Sequence, residues 1–218
     1  MSAASPRPHA PPPKLTRAER NEATRQRLFA AAAAVVGRHG YAGASVARIA
    51  AKAGVAQGTF YNYFATRQEL LDELLPEVGA NMLRFIGEHT RHDVSAAEKE
   101  SDRFGAFFAY LREVPGFLRI LVEADLFAPA GYRRHVDTVV SGYARVLKRA
   151  RDRGDITGFS DDEVEALVFI LLGAREYLCR HYAYDRRDAT AMPPAVVSAY
   201  EKLLLSGLFD RPQKAVPV

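Results

Sequence analysis

The stretch SVARIAAKAGVAQGTFYNYF, residues 45–64, decides how this chain is read. Val46, Ile49, Ala50 and Ala53 recur at i, i+3, i+4 and i+7, which is the apolar stripe of a short helix. Ser45 stands where an N-cap is needed, its hydroxyl free to accept from an orphan backbone N–H, and Gly54 suits a tight exit turn. The pattern predicts a helix over 46–53 and a second over 57–63, with Val55 turned inward and Phe60 and Phe64 buried. Small residues (Ala47, Ala50, Ala51, Ala53) let the two helices cross closely. Helix, short glycine turn, helix is the unit that docks in the major groove of DNA.

With Phe60 and Phe64 buried, Gln57, Gly58, Thr59, Tyr61, Asn62 and Tyr63 are left facing outward. Gln and Asn can each donate to and accept from adenine, Thr can meet a base edge or a thymine methyl, and tyrosine hydroxyls reach phosphate oxygens. No acid interrupts this face. A helical hairpin of a scaffold, its tyrosines covered by a partner, is the competing reading. Charge argues against it: residues 1–67 carry ten basic side chains and two acidic ones, a net of +8 against +4 for the whole chain. A basic front and a slightly acidic remainder fit a protein whose one end meets a polyanion.

The segment ARIAAKAGVAQGTFYNYFATRQELL (residues 47–71), together with VVGRHGYAGASV (residues 35–46), resembles the helix-turn-helix signature of the TetR family of repressors. Gly40, Gly54, Gly58, Phe60, Tyr61 and Phe64 fall at the family's spacing, and the resemblance spans about residues 20–75. It implies that positions 57–59 and 61–63 face DNA, with Ser45, Val46 and Arg67 near phosphates. It also implies an all-helical C-terminal domain that binds a small molecule and dimerises. Lys14 and Arg17, in a basic arm ahead of the first helix, are further candidates for phosphate contact.

The rest of the chain reads as helix after helix, and no segment shows sustained period-two alternation, so the fold class is all-α with about nine helices. Thr16 with Glu19, Thr66 with Glu69, Ser95 with Glu98 and Ser160 with Glu163 match the capping box. Gly37, Gly40, Gly54, Pro115-Gly116, Gly154 and Gly158 mark stops. Further helices are expected near 17–38, 67–89, 96–113, 117–126, 131–153, 161–183 and 194–208, the fourth carrying Pro76, which lacks the N–H a helix interior needs. The expected organisation is a Pro-rich tail (1–15), a DNA-binding domain (16–66), a ligand-binding and dimerisation domain (67–210) and a flexible end (211–218).

One cysteine, Cys179, excludes a disulfide framework and a multi-Cys zinc site and fits a reducing cytoplasm. The longest apolar run, Leu28–Val36, is too short to cross a bilayer, so no membrane partner is expected. G-x-S-x-G, P-loop, Rossmann and H-E-x-x-H motifs are missing from the sequence, so an enzyme is not indicated and no cofactor is expected. His89-x-x-His92-Asp93 has metal-like spacing but no third or fourth ligand nearby, and reads as a surface loop without metal. Cys179, between Tyr177-Leu178 and Arg180, reads as a packed thiol rather than a redox sensor.

Aromatics concentrate in the fifth and sixth helices. Phe107, Phe108, Leu111, Phe117 and Leu121 are the candidate walls of an apolar pocket, with Tyr177 nearby in sequence to Arg175, the candidate polar anchor. Arg119, Glu123 and Arg175 interrupt apolar stretches and each needs a partner. The wide apolar faces of 161–183 and 194–208 suit a homodimer interface. The sequence therefore points to a repressor that binds palindromic double-stranded operator DNA as a homodimer and is released by a small apolar or amphipathic effector. A regulator controlled by a protein partner, without a small ligand, is the alternative.

Overall fold

The computed structural model describes residues 16–184 and 192–207. Nine α-helices follow one another among these residues: α1 (Arg17–His39), α2 (Val46–Ala53), α3 (Gln57–Phe60), α4 (Arg67–Glu88), α5 (Ala96–Glu113), α6 (Gly116–Phe127), α7 (Pro129–Asp152), α8 (Asp161–Cys179) and α9 (Pro194–Ser206). The described residues contain no strand. A π-helical segment, Arg180–Tyr184, continues α8. The terminal segments 1–15 and 211–218, and with them Lys14, lie outside the described residues.

Capping chemistry sets the starts. Thr16, Ser95 and Ser160 form complete capping boxes with Glu19, Glu98 and Glu163. Thr66 caps α4 through its hydroxyl, but the Glu69 carboxylate accepts from Ala65 N–H at 2.6 Å rather than from Thr66 itself. Gly54 ends α2 in the left-handed region, φ +68°, where a side chain would be strained. Gly37, read as a stop, lies inside α1, which runs on to His39 and ends at Gly40. Pro76 sits within α4, which is helical on both sides of it.

The main core joins the two ends of the molecule. Leu28, Val36, Ile49, Phe60 and Phe64 of the N-terminal region share one cluster with Leu74, Phe104, Phe117, Ile120 and Tyr200. The expected boundary at residue 66 is therefore no gap in the apolar core. A smaller cluster, Tyr143, Leu147, Val164 and Val168, binds α7 to α8. α4 and α7 pack especially closely: Gly131 faces the Asp72 backbone, and the His135 ring occupies the place a Cβ would take on Gly79. Those two contacts make α4 and α7 run in the same direction, so the C-terminal ends of both lie at the far end of the molecule from α1–α3.

Candidate DNA-reading head and ligand cavity

α2 is held against α1 by Ile49, Ala50 and Ala53, all buried. Ser45 caps it, its Oγ accepting from Arg48 N–H at 3.3 Å. After Gly54 the chain enters α3, which is a single turn, Gln57–Phe60. The predicted helix over 57–63 is thus shorter than expected. Residues 61–63 form turns, with Asn62 N–H donating to Thr59 and Tyr63 N–H to Phe60, both in the i→i−3 pattern. Phe60 and Phe64 still enter the core, because Phe64 N–H reaches back to the Phe60 carbonyl at 3.1 Å and preserves the four-residue spacing.

Gln57, Gly58, Tyr61 and Asn62 are exposed, and Thr59 is half-buried. The Tyr61 ring meets that of Phe60 edge to face while leaving 55% of its surface open. The Tyr63 hydroxyl meets Asn21 Oδ1 at 3.4 Å. Arg17 is exposed at the start of α1, and Val46 is half-buried against the core. Arg67 is taken up by the fold itself. Its guanidinium donates to the Ala44 carbonyl at 2.6 Å and to the Tyr41 carbonyl, closing the α1–α2 turn. Arg25 is likewise engaged, with Glu73 and over the rings of Phe29 and Phe64.

The C-terminal helices enclose a cavity of about 640 Å³. Its apolar wall comes from Leu83 and Ile86 of α4, Leu121 of α6, Val136 and Val139 of α7, and Leu172 of α8. Seven basic side chains line it against two acidic ones. Arg91, Lys99, Arg103, Arg149 and Arg153, with His92, gather at the far end, where α4 and α7 finish and α5 begins. Arg91 is matched by Asp102, with two parallel bonds of 2.9 Å, and Arg153 by Asp155 at 2.8 Å. Lys99 and Arg149 have no carboxylate partner among the described residues. Asp125, Tyr132, Glu176 and Arg180 lie toward the other end.

Phe107, Leu121 and Arg175 line this cavity. Phe108, Leu111 and Phe117, also expected as walls, do not: they are buried in the main core, where Phe108 meets Phe104 and Phe117 meets Tyr110 edge to face. Tyr177 lies on the outer face of α8, 74% exposed, since two residues along a helix is more than half a turn from Arg175. The contribution of α7 was missed from sequence, although Val136, Val139, Tyr143 and Val146 recur at helical spacing. His135 was missed too; burial depresses its pKa to about 4, so it presents a neutral ring to the cavity near pH 7.

Both interrupted apolar stretches find internal partners. Arg119 Nε lies 2.6 Å from Glu123 Oε1 on the same helix, and Glu123 Oε2 accepts from the Tyr41 backbone N–H at 2.8 Å. Arg175 pairs with Glu100 of α5 and donates to the Tyr143 hydroxyl at 3.1 Å. Burial opposes the Arg175 charge, but Glu100 beside it prevails and holds the guanidinium pKa above its ordinary value. Removing one partner of such a buried pair costs about 3–5 kcal/mol. Cys179 is buried, and desolvation pushes its thiol up to about 12. His89 stacks on Phe85 and bonds its carbonyl, and no group of three metal-ligating side chains occurs among the described residues.

Residues 28–74 match the model of the bacterial regulatory proteins of the tetR family. The HTH-type transcriptional repressor SCO4008 of Streptomyces coelicolor is 44% identical over 153 residues, 69% of this chain and 76% of that protein. The chain belongs to the TetR family. A second relative of this TetR-family regulator, the fatty acid metabolism regulator protein of Bacillus subtilis, is 27% identical over 121 residues. That match covers 55% of this chain and 62% of the relative, so it spans less than two thirds of the relative's length. In three dimensions the TetR-family fold is matched by FadR of Bacillus subtilis in complex with stearoyl-CoA. The TM-score is 0.71 at 20% identity, over 84% of this chain and 99% of that one. The fatty acid degradation regulator FadR of Bacillus halodurans gives 0.72 at 21% identity, over 86% and 97%. By name these relatives are a transcriptional repressor, a fatty acid metabolism regulator protein and a transcriptional regulator. No described helix is long and apolar enough to cross a membrane.

Proposed function

We propose that this TetR-family regulator is a repressor that binds a palindromic operator as a homodimer and releases it when an amphipathic anion of the long-chain acyl-CoA class enters the cavity. The observation that carries the effector class is the polarity of the cavity: an apolar wall leading to a cluster of basic side chains with two unmatched charges, Lys99 and Arg149. A hydrocarbon chain fits the first and a phosphate-bearing headgroup the second. That the similarly folded FadR of Bacillus subtilis holds stearoyl-CoA supports the reading. Of the residues expected from sequence to contact ligand, Phe107, Leu121 and Arg175 remain.

At the other end, Gln57, Gly58, Thr59, Tyr61 and Asn62 read bases, with Tyr63, Ser45, Val46, Arg17 and Lys14 at phosphates. One turn of α3 buries too little surface to be selective alone, so two copies are needed. The outer faces of α8 and α9 supply the means: Phe169, Ile170, Tyr177, Leu203 and Leu205 are each more than half exposed. Large apolar side chains left this exposed on two helices suit burial against a second copy. The test is selection from a randomised duplex pool by the full-length protein, with the mass of the complex measured. An inverted repeat bound by an even number of copies is expected; enriched sites without two-fold symmetry would refute both dimer and operator.

A further inference from the structure

Two orphaned polar atoms lie within one buried cluster of the cavity wall. Arg175 Nε on α8 and Glu100 Oε2 on α5 are buried without a hydrogen-bond partner, although the same two side chains are paired through their other atoms. Three donors converge on Glu100 Oε1: Arg175 Nη2, the Tyr143 hydroxyl and the Tyr200 hydroxyl, the last at 2.9 Å. Glu100 Oε2 has only Arg103 Nη1, at 3.7 Å. A guanidinium and a carboxylate commonly meet fork to fork through two parallel bonds. Here the guanidinium uses a single nitrogen, and its Nε–H stays idle. Idle buried donors are rare and call for an explanation.

The place of the cluster supplies one. Arg175, Tyr143 and Arg103 line the cavity, while Glu100 and Tyr200 stand behind them. The idle group among these lining residues is therefore the Arg175 Nε–H, which has no exposed surface until the side chains over it part, and a guanidinium can only donate. Charge points the same way, since Arg175 and Arg103 flank one carboxylate and leave a positive charge unmatched. We propose that Arg175, with Arg103 beside it, receives an acyl oxygen of the ligand: the carboxylate of a free fatty acid or the carbonyl of its thioester. Arg175 Nε donates to that oxygen while Nη2 keeps Glu100, and the apolar wall takes the chain. This rests on the cavity being the effector site. A cationic amphiphile is disfavoured at the same point, because the one carboxylate there, Glu100, stands behind Arg175 and Tyr143, which line the cavity.

The experiment is calorimetric titration of the full-length protein with palmitate, palmitoyl-CoA and cetyltrimethylammonium, which share a chain length and differ in headgroup. Arg175→Gln alone would strand Glu100, so the informative variant is the double replacement Glu100→Gln with Arg175→Met, which removes both buried charges together. Arg175→Lys is the second variant; it keeps the charge beside Glu100 but has no second nitrogen to offer. In variants that keep the wild-type circular dichroism, affinity for the acyl probes falls about 10- to 100-fold, the range of a charge-assisted hydrogen bond. A loss confined to palmitate identifies the carboxylate as the group received, and one confined to palmitoyl-CoA identifies the thioester carbonyl. Undiminished acyl affinity in either folded variant, or wild-type protein that prefers cetyltrimethylammonium to palmitate, overturns the proposal. Wild-type protein that binds none of the three overturns the effector reading on which it stands.

Discussion

Glu123 links the cavity to the DNA-reading head, and replacing it with alanine tests that link. α6 faces the cavity with Leu121 and Val122, and two residues on from Leu121, Glu123 accepts from the Tyr41 backbone N–H at 2.8 Å. Tyr41 is fully buried at the turn between α1 and α2, so Glu123→Ala leaves its N–H without an acceptor. A charge-assisted bond of this kind contributes about 1.5–3 kcal/mol. The Arg119–Glu123 pair adds little, because the Arg119 side chain is 39% exposed and water screens it. For a chain of this size a loss near 2 kcal/mol corresponds to a fall of about 4–8 °C in Tm. Glu123→Gln, which keeps an acceptor oxygen, should recover most of it. The functional prediction is sharper: with the latch gone, ligand should still enter the cavity but should move the head less. Differential scanning calorimetry reads the first effect, and fluorescence anisotropy of labelled operator, titrated with palmitoyl-CoA, reads the second. A Glu123→Ala protein that melts within about 1 °C of wild type and releases DNA at the same ligand concentration would refute the latch.

Gly79→Ala forces a methyl into the space of the His135 ring and should destabilise the protein by about 1–3 kcal/mol in urea unfolding, with His135→Ala in the same chain relieving the clash. Burial holds His135 at about 4, below its unfolded value near 6.5, so the unfolded chain takes up a proton first and stability declines as pH falls from about 6.5 toward 4. About 1 kcal/mol should be lost between about pH 6.5 and 5.5, and His135→Gln should flatten Tm against pH in that window. Cys179, with its thiol raised to about 12 and buried, should resist a thiol-reactive dye near neutral pH in the native protein and react within minutes in urea; rapid native labelling would contradict its packing.

The helix-turn-helix was legible because everything that builds it is local. Ser45, Gly54 and the period of Val46, Ile49, Ala50 and Ala53 lie within ten residues and act through caps and a single apolar stripe. The length of α3 was not legible, since Phe60 and Phe64 reach the core equally well from a helix or from the turns that replace its second half. Phe108, Leu111 and Phe117 show the limit of composition as a guide: a dense aromatic run fixes that a core exists, not which side of it is hollow. The Glu100–Tyr143–Arg175–Tyr200 cluster joins four helices across separations of up to 100 residues, and no local pattern announces such a meeting. The basic end of the cavity was hidden for the same reason. Arg91, Lys99, Arg103, Arg149 and Arg153 read one by one as solvated surface, and only the fold, which sets the ends of α4 and α7 beside the start of α5, brings them together.

Release of DNA by ligand is tested most directly by one measurement: the affinity of the full-length protein for its selected operator, by fluorescence anisotropy at fixed salt, with and without saturating palmitoyl-CoA. A ligand shifts this equilibrium only by as much as it prefers the released state over the DNA-bound one. Operator affinity is predicted to fall at least about tenfold when the cavity is filled. Tight operator binding that is unchanged while calorimetry shows palmitoyl-CoA bound would contradict a ligand-released repressor.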